Sequence, residues 1–371
     1  MKDYNEIMLA IQALANGKQP DIDISELLYH HKCFYLLSCI KQPKCSHPAE
    51  TLLNKVSIRE RYHCCQEIFE ILKAASIPYA VIKGAVLSAA AYGDPYCRRS
   101  GDIDLLINRR DIDNVKRVLL NHGFIQGRIT DNGIEPFSRR ELLFQSTMSH
   151  QIAPFIKATG NKLCPYVNVD INMDIMWGES SRKTDMDFVL SHITQTRIGD
   201  TVINKLTPEM EFISLCLHHY KDMNSIYLLA QGSLKLHLLC DIFFYLKRNL
   251  QYEHYSDIQS SADTHGCEIP SFNPNLLTAL CCQLGVTEYV YYCLYYADLI
   301  FDDPILKPLC ETFSTPSGMK LLNSYGLSEQ ERQDWNIEFP ELLFNLDIHK
   351  YLYSTLSEEL LQKIEINKML M

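Results

Sequence analysis

Two aspartates, Asp102 and Asp104, stand two positions apart in an apolar stretch that continues through residues 105–107. On a β-strand, residues i and i+2 point to the same face, so this spacing predicts two carboxylates that project together from a strand. Like charges held this close are costly unless a cation lies between them. A hard divalent cation with oxygen ligands suits such a pair, and Mg²⁺ that carries the phosphates of a nucleotide fits it best.

The chain just before this pair can supply a phosphate-binding turn. Residues 78–82 have the composition of a short strand, Lys83-Gly84 follows, and residues 85–92 are rich in helix formers up to a predicted stop at Gly93. A strand–turn–helix arrangement leaves free backbone N–H groups at the start of the helix, where phosphate oxygens bind well. Gly84 lets the backbone approach a ligand closely, and Lys83 adds a positive charge.

This order of motifs resembles the uncharacterised bacterial nucleotidyltransferase family of the DNA polymerase β-like nucleotidyltransferase superfamily. The resemblance is carried by the strand, the Lys-Gly turn, the helix and the run Arg98-x-Ser100-x-Asp102-x-Asp104, and it covers residues 77–180 well. It implies an α+β fold with a small mixed β-sheet at the catalytic core. The turn reads Lys-Gly in this chain, where the superfamily usually has Gly-Ser or Gly-Gly.

The resemblance also implies a third carboxylate on a later strand, and two aspartates compete for that place. Residues 166–177 alternate cleanly between apolar side chains and the polar side chains Asp170, Asn172 and Asp174, which is the pattern of a strand. Asp170 begins a tripeptide that resembles the family's Asp/Glu-Leu-His motif, and Asp174 begins a second tripeptide that fits the same motif. The sequence favours Asp170 and leaves Asp174 open as the third carboxylate or as a further metal ligand.

The resemblance implies specific roles for these groups. Asp102 and Asp104 would hold Mg²⁺ on the phosphates of an NTP, and the third carboxylate would bind a second Mg²⁺ and activate the attacking hydroxyl. Lys83 and the Gly84 turn would hold the triphosphate. The expected reaction moves a nucleoside monophosphate from the NTP to a hydroxyl acceptor and releases pyrophosphate.

Four further residues match family positions, each with a structural alternative. Arg98 either pairs with an active-site carboxylate or phosphate or is solvated, and Ser100 either contacts the nucleotide or shapes the turn that enters the strand. Lys221, on a later helix, either contacts phosphate or lies solvated at the helix end. His150 either lies near the site or has a structural role.

Composition narrows the partners that can be expected. The formal net charge is −10 and the isoelectric point is about 5.7, which argues against broad nucleic-acid binding because that requires a basic surface. A local pocket for tRNA is not excluded. The acceptor is therefore expected to be a small molecule or a protein, and less readily an RNA. Two other readings stay open: a nucleotide-binding sensor module without transfer, and a toxin-like enzyme that modifies tRNA.

The remaining sequence predicts how the chain is organised. Helical apolar spacing predicts an N-terminal helical segment over residues 1–76 and a C-terminal helical domain over 205–371, which flank a catalytic core over 77–204. No apolar run reaches the roughly 18 residues that a membrane span needs, and the first residues do not resemble a secretory signal. The 14 cysteines are too scattered for a disulfide scaffold. A cytoplasmic protein with free thiols is therefore expected.

Overall fold

The structure is a computed structural model, and it describes residues 3–39, 48–148, 151–178, 180–255 and 272–370. The chain forms two compact units that interleave along the sequence. The sheet unit comprises His47–Ser214 and Lys247–Leu280, and the helical unit comprises Met1–Ser46, Leu215–Leu246 and Cys281–Met371. The predicted segments 1–76, 77–204 and 205–371 divide the sequence consecutively, and their boundaries stay a prediction.

Eight strands of the sheet unit form one mixed sheet in the order β4-β3-β5-β6-β2-β1-β8-β7. The central pairs β2·β6 and β1·β8 are parallel, whereas β1·β2, β5·β6, β3·β5, β3·β4 and β7·β8 are antiparallel. The strands are β1 Tyr79–Ile82, β2 Ile103–Ile107, β3 Ile125–Thr130, β4 Gly133–Pro136, β5 Gln151–Asn161, β6 Cys164–Asn172, β7 Ile193–Ile198 and β8 Thr201–Leu206.

The sheet is larger than the small mixed sheet expected from the resemblance. Two hairpins, β3–β4 and β7–β8, extend it at both edges. Several of their residues are exposed or half-buried, so these strands lack the long apolar runs that mark the central strands. A short strand with little apolar character is hard to distinguish from a loop by pattern alone, which is why the sequence underestimated the sheet.

Helices of the sheet unit cover this sheet and build its core. Side chains of α3, among them Ile58, Phe69 and Leu72, are buried in one cluster with Leu105 of β2 and Ile171 of β6. The helices that lie wholly within the unit are α3 Pro48–Ala74, α4 Gly84–Tyr92, α5 Ile112–Asn121, α6 Arg139–Met148 and α7 Met186–Ser191.

Three helices contribute residues to both units, and the remaining helices belong to the helical unit. The shared helices are α8 Pro208–Asn224, α10 Leu236–Tyr255 and α11 Pro274–Leu284. The others are α1 Tyr4–Ala15, α2 Ser25–His30, α9 Ile226–Leu229, α12 Thr287–Phe301, α13 Lys307–Phe313, α14 Pro316–Leu321, α15 Phe339–Leu343, α16 Ile348–Thr355 and α17 Glu358–Leu370, with a two-stranded sheet of β9 Ser324–Tyr325 and β10 Gln333–Asp334.

The core of the helical unit is rich in aromatic side chains from α12. Tyr292 and Tyr296 are fully buried, and the Tyr296 ring stacks on Phe339 of α15 with centroids 3.7 Å apart. In the same unit, His219 of α8 and Asp241 of α10 form a buried pair with 3.1 Å between Nε2 and Oδ2. The tyrosine-rich stretch therefore supplies packing within this unit. Within the described ranges, no helix combines the length and the apolar character that crossing a membrane requires.

Candidate active site

Three adjacent strands at the centre of the sheet bring two of the predicted carboxylates side by side. In the parallel pair of β2 and β6, Asp104 lies directly opposite Asp170. On its other side Asp104 lies opposite Ile82, the last residue of β1. Residues opposite each other on neighbouring strands share a face of the sheet, so the Asp104 and Asp170 side chains project from the same face. The alternation of apolar and polar residues in β6 favours this register, because a slip of β6 by one residue would turn Asp170 towards the core.

The Asp104 carboxylate is nearly buried and accepts hydrogen bonds at one oxygen from two donors. Lys83 Nζ lies 3.3 Å from Asp104 Oδ1, and the side-chain amide of Asn172 donates to the same oxygen at 3.1 Å. Only 7% of Asp104 is exposed. A buried carboxylate is costly unless it is paired and hydrogen-bonded, and these two side chains supply that compensation.

The turn between β1 and α4 has an unusual backbone. Lys83, which caps α4, has φ 58° and ψ −148°, and Gly84 at the first position of the helix has φ 47°. The Lys83 conformation belongs to a region that is occupied almost only by glycine, and a lysine there costs about 1–3 kcal/mol. A Cβ at position 84 would lie 3.0 Å from the Ser100 hydroxyl, so glycine is also favoured there by the close approach of the next loop.

Burial and neighbouring carboxylates raise the pKa of Asp170 and of Asp102. Burial, together with the charges of Asp102 and Asp104, raises the pKa of Asp170 to about 7. The pKa of Asp102 is also raised, chiefly by burial and then by Asp104, although Lys83, Arg61 and Arg98 act in the opposite direction. The site therefore carries more negative charge than its own cations neutralise.

The loop that delivers Asp102 is held by two side chains of α3. Arg61 of α3 donates to the Ser100 carbonyl at 2.6 Å, and the Asn54 amide donates to the carbonyls of Tyr96 and Arg98 at 2.8 and 3.2 Å. The Ser100 hydroxyl donates to the Asp102 carbonyl at 3.2 Å. Ser100 thus shapes the entry to β2, and its contact with a nucleotide stays a prediction.

Ser88 of α4 fixes the other end of this loop. Its hydroxyl donates to the Asp94 carbonyl at 2.6 Å and accepts from the backbone N–H of Arg98 at 2.9 Å. Sequence reasoning did not single out Ser88, Asn54 or Arg61, because helical periodicity does not show which loop a helix side chain contacts. Asn172 could have been found, since it shares the polar face of β6 with Asp170 and lies two residues from it.

Asp174, the other candidate for the third carboxylate, lies outside β6. The predicted strand over residues 166–177 is too long, because β6 ends at Asn172. Beyond it, the Asp174 carboxylate accepts from the backbone N–H of Met176 at 2.9 Å and from the Thr184 hydroxyl at 2.7 Å, which is a turn rather than a strand. Its role as a metal ligand stays a prediction.

Lys221 and His150, the remaining predicted residues, lie away from the strands that carry Asp104 and Asp170 in the sequence. Lys221 lies on α8 within the helical unit, with its ammonium 3.5 Å from Asp222 Oδ1, and its contact with phosphate stays a prediction. His150 lies outside the described residues.

The donor set at the site fits a hard divalent cation by its chemistry. Asp102, Asp104 and Asp170 offer carboxylate oxygens, which Mg²⁺ prefers, and their mutual repulsion favours an added cation. Their arrangement is looser than a finished metal site. Among the residues that the structure describes, no three His, Cys, Asp or Glu side chains are grouped closely enough to hold a metal ion. Binding of Mg²⁺ would therefore have to draw these carboxylates together.

Comparison with known proteins places the chain in a family. No curated protein sequence matches it significantly. Among solved structures, it is similar to the crystal structure of an antigenic nucleotidyltransferase-like protein from Paracoccidioides brasiliensis, with 18% identity, coverage of 52% of this chain and 77% of that chain, and a TM-score of 0.32. A TM-score this low carries no argument about fold or function. The family described as "uncharacterised nucleotidyltransferase" matches residues 49–283, more than half of the chain, and the protein belongs to that family.

Proposed function

We propose that the protein is a Mg²⁺-dependent nucleotidyltransferase with the polymerase β-like arrangement of catalytic carboxylates. The observation that supports this most strongly is the register of β2 and β6, which sets Asp104 opposite Asp170 on one face of the sheet. The start of α4, with Lys83 in contact with Asp104, adjoins this pair. A triphosphate and its divalent cation need this combination of helix N–H groups, an ammonium and several carboxylates.

In this proposal the nucleotide is bound by residues from two neighbouring elements. The free N–H groups of α4, which begins at Gly84, and the ammonium of Lys83 hold the triphosphate oxygens. Asp102 and Asp104 hold Mg²⁺, with Arg98 as a further cation beside Asp102. When bound, Mg²⁺ neutralises charge on the phosphates as the transfer proceeds.

Asp170 is proposed to take the proton from the acceptor. With a pKa raised to about 7, its carboxylate can accept the hydroxyl proton near neutral pH. The acceptor oxygen then forms a bond to the α-phosphorus, and the bond from the α-phosphorus to the oxygen that bridges to the β-phosphorus breaks. Pyrophosphate leaves, and the nucleoside monophosphate stays on the acceptor. Because the net charge is −10, a small molecule or a protein is proposed as the acceptor in preference to RNA.

A labelling experiment tests the proposal. The purified protein is incubated with Mg²⁺ and each α-³²P-labelled NTP, alone and with cell extract, beside the double variant Asp102→Ala/Asp104→Ala. Asp131→Asn is the matched control, since Asp131 lies exposed in the turn between β3 and β4. We expect label on an acceptor with the wild type and with D131N, and none with the double variant.

The size of the labelled product separates a small molecule, a protein and an RNA. Equal labelling by the double variant would contradict the assignment of the site. Mg²⁺-dependent NTP binding without transfer from any NTP would contradict the proposed reaction and favour a nucleotide sensor.

A further inference from the structure

The ammonium of Lys83 has two competing partners, the Asp104 carboxylate and the triphosphate of the proposed function. Its ammonium is 3.3 Å from Asp104 Oδ1, and the side chains of both residues are largely buried, with 16% and 9% exposed. In the proposed function the same ammonium holds phosphate, and the same carboxylate holds a divalent cation. One ammonium cannot neutralise both the Asp104 carboxylate and a triphosphate. Binding of nucleotide therefore competes with Asp104 for Lys83, and binding of a cation competes with Lys83 for Asp104.

The backbone places Lys83 between these two partners. Lys83 is the residue that caps α4, so its flexible side chain starts beside the free N–H groups at which phosphate oxygens would bind. The positive φ of this residue is retained although lysine is disfavoured there. Strain of this kind persists where the surrounding structure and the function require a particular side chain. Glycine would relieve the strain but would remove the ammonium.

We propose that Lys83 is an exchangeable counter-ion that makes cation binding conditional on nucleotide. In the free protein its ammonium neutralises Asp104. When the triphosphate binds at α4, the ammonium moves to a phosphate oxygen, and Asp104 becomes available to the divalent cation. This inference rests on the proposed function and deepens it, because it predicts positive coupling between the two ligands of the same site. Coupling of this kind is reciprocal, so the cation strengthens nucleotide binding by the same factor.

The test measures how tightly Mn²⁺ binds, with and without nucleotide. Free Mn²⁺ is counted by electron paramagnetic resonance in the absence and presence of a non-hydrolysable NTP analogue, for the wild type and for Lys83→Met. In the wild type we expect the analogue to tighten Mn²⁺ binding by at least about tenfold. In K83M we expect tighter Mn²⁺ binding without the analogue and a coupling factor of less than about threefold.

Two further variants separate the proposed exchange from a general effect of charge. Arg110→Gln removes one positive charge of the sheet unit, and Arg110 is an exposed residue that pairs with Asp187 rather than with Asp104. R110Q is therefore expected to keep the wild-type coupling factor. Lys83→Arg keeps the charge and is expected to keep most of the coupling. If melting shows that K83M is unfolded, Lys83→Gln replaces it.

The outcomes distinguish this inference from the proposed function. An equal coupling factor in the wild type and in K83M would overturn the exchange while leaving the nucleotidyltransferase proposal intact. An equal loss of coupling in R110Q and K83M would also overturn it, because the effect would then be one of net charge. Failure of both the wild type and K83M to bind Mn²⁺ in the presence of the analogue would overturn both proposals.

Discussion

At the scale of single residues, the site is defined by an excess of negative charge. Burial and then the charge of Asp104 raise the pKa of Asp102, and burial and then the charges of Asp102 and Asp104 raise the pKa of Asp170. The hydrogen bonds from Lys83 and Asn172 converge on a single oxygen of Asp104. Packing gives no reason to gather these carboxylates, since each would be more stable with water around it. Their arrangement is therefore better explained by a positively charged ligand than by stability.

A stability measurement tests this excess of charge at Asp170. An aspartate in the unfolded chain loses its proton near pH 4, whereas burial and the neighbouring charges raise the pKa of Asp170 in the folded protein to about 7. Between these pH values the folded state holds more protons, so this residue's contribution to stability falls as the pH rises through that window. Without divalent cations, Asp170→Asn should therefore stabilise the protein at pH 8 by on the order of 2 kcal/mol, after allowance for solvent screening.

The comparison requires melting curves at pH 4 and pH 8 in EDTA. The stabilisation by D170N should be larger at pH 8 than at pH 4, where the carboxyl is protonated in the folded state and about half protonated in the unfolded chain. Asp174→Asn is the matched control: Asp174 accepts hydrogen bonds from Thr184 and Met176, so D174N should lower the stability at pH 8. Equal effects of D170N at the two pH values would contradict the charge account.

At the scale of elements, the site depends on local structure that the sequence predicted well. The strand before Lys83, the helix after it and the stop at Gly93 are all confirmed, because composition and a glycine in the left-handed conformation determine them locally. The end of β6 was predicted wrongly, because the alternation continues past the turn that the Asp174 carboxylate forms. Alternation alone does not reveal a side chain that ends a strand by capping a turn.

The loop before β2 is expected to depend on the buried hydroxyl of Ser88 for its stability. Ser88 is completely buried, and its hydroxyl satisfies both the Asp94 carbonyl and the Arg98 backbone N–H. Ser88→Ala removes both hydrogen bonds and should lower the free energy of unfolding by about 1–3 kcal/mol. Because the loop positions Asp102, nucleotide binding should weaken as well.

Denaturant unfolding measures the first effect, and titration with a non-hydrolysable NTP analogue measures the second. Ser191→Ala provides the control, since Ser191 is exposed and bonds only within its own helix end, and it should cost less than about 0.5 kcal/mol. A loss of stability in S88A no greater than in S191A would show that the hydroxyl does not hold the loop.

At the scale of the whole molecule, the sequence did not predict which strands pair when they are far apart in the chain. The eight-stranded order joins strands that are far apart in the chain, such as β1 and β8. Periodicity reports the face of a strand but not its neighbour, so the hairpins at the edges and the size of the sheet could not be predicted. For the same reason, the contacts of Arg61 and Asn54 of α3 with the loop before β2 were not foreseen.

The candidate active site lies within one of the two compact units. All residues of the candidate active site described above belong to the sheet unit, whereas Lys221 and the buried His219–Asp241 pair belong to the helical unit. The chemistry proposed for transfer is therefore derived from the sheet unit, and the role of Lys221 toward phosphate remains a prediction.

The most direct test of the central claim is the position of a divalent cation in the protein. Crystals grown with Mn²⁺ and a non-hydrolysable NTP analogue would be measured at the manganese absorption edge. We predict an anomalous peak at roughly 2.0–2.6 Å from carboxylate oxygens of Asp102 and Asp104, with the triphosphate at the start of α4. Manganese bound elsewhere, or a triphosphate away from α4, would contradict the account.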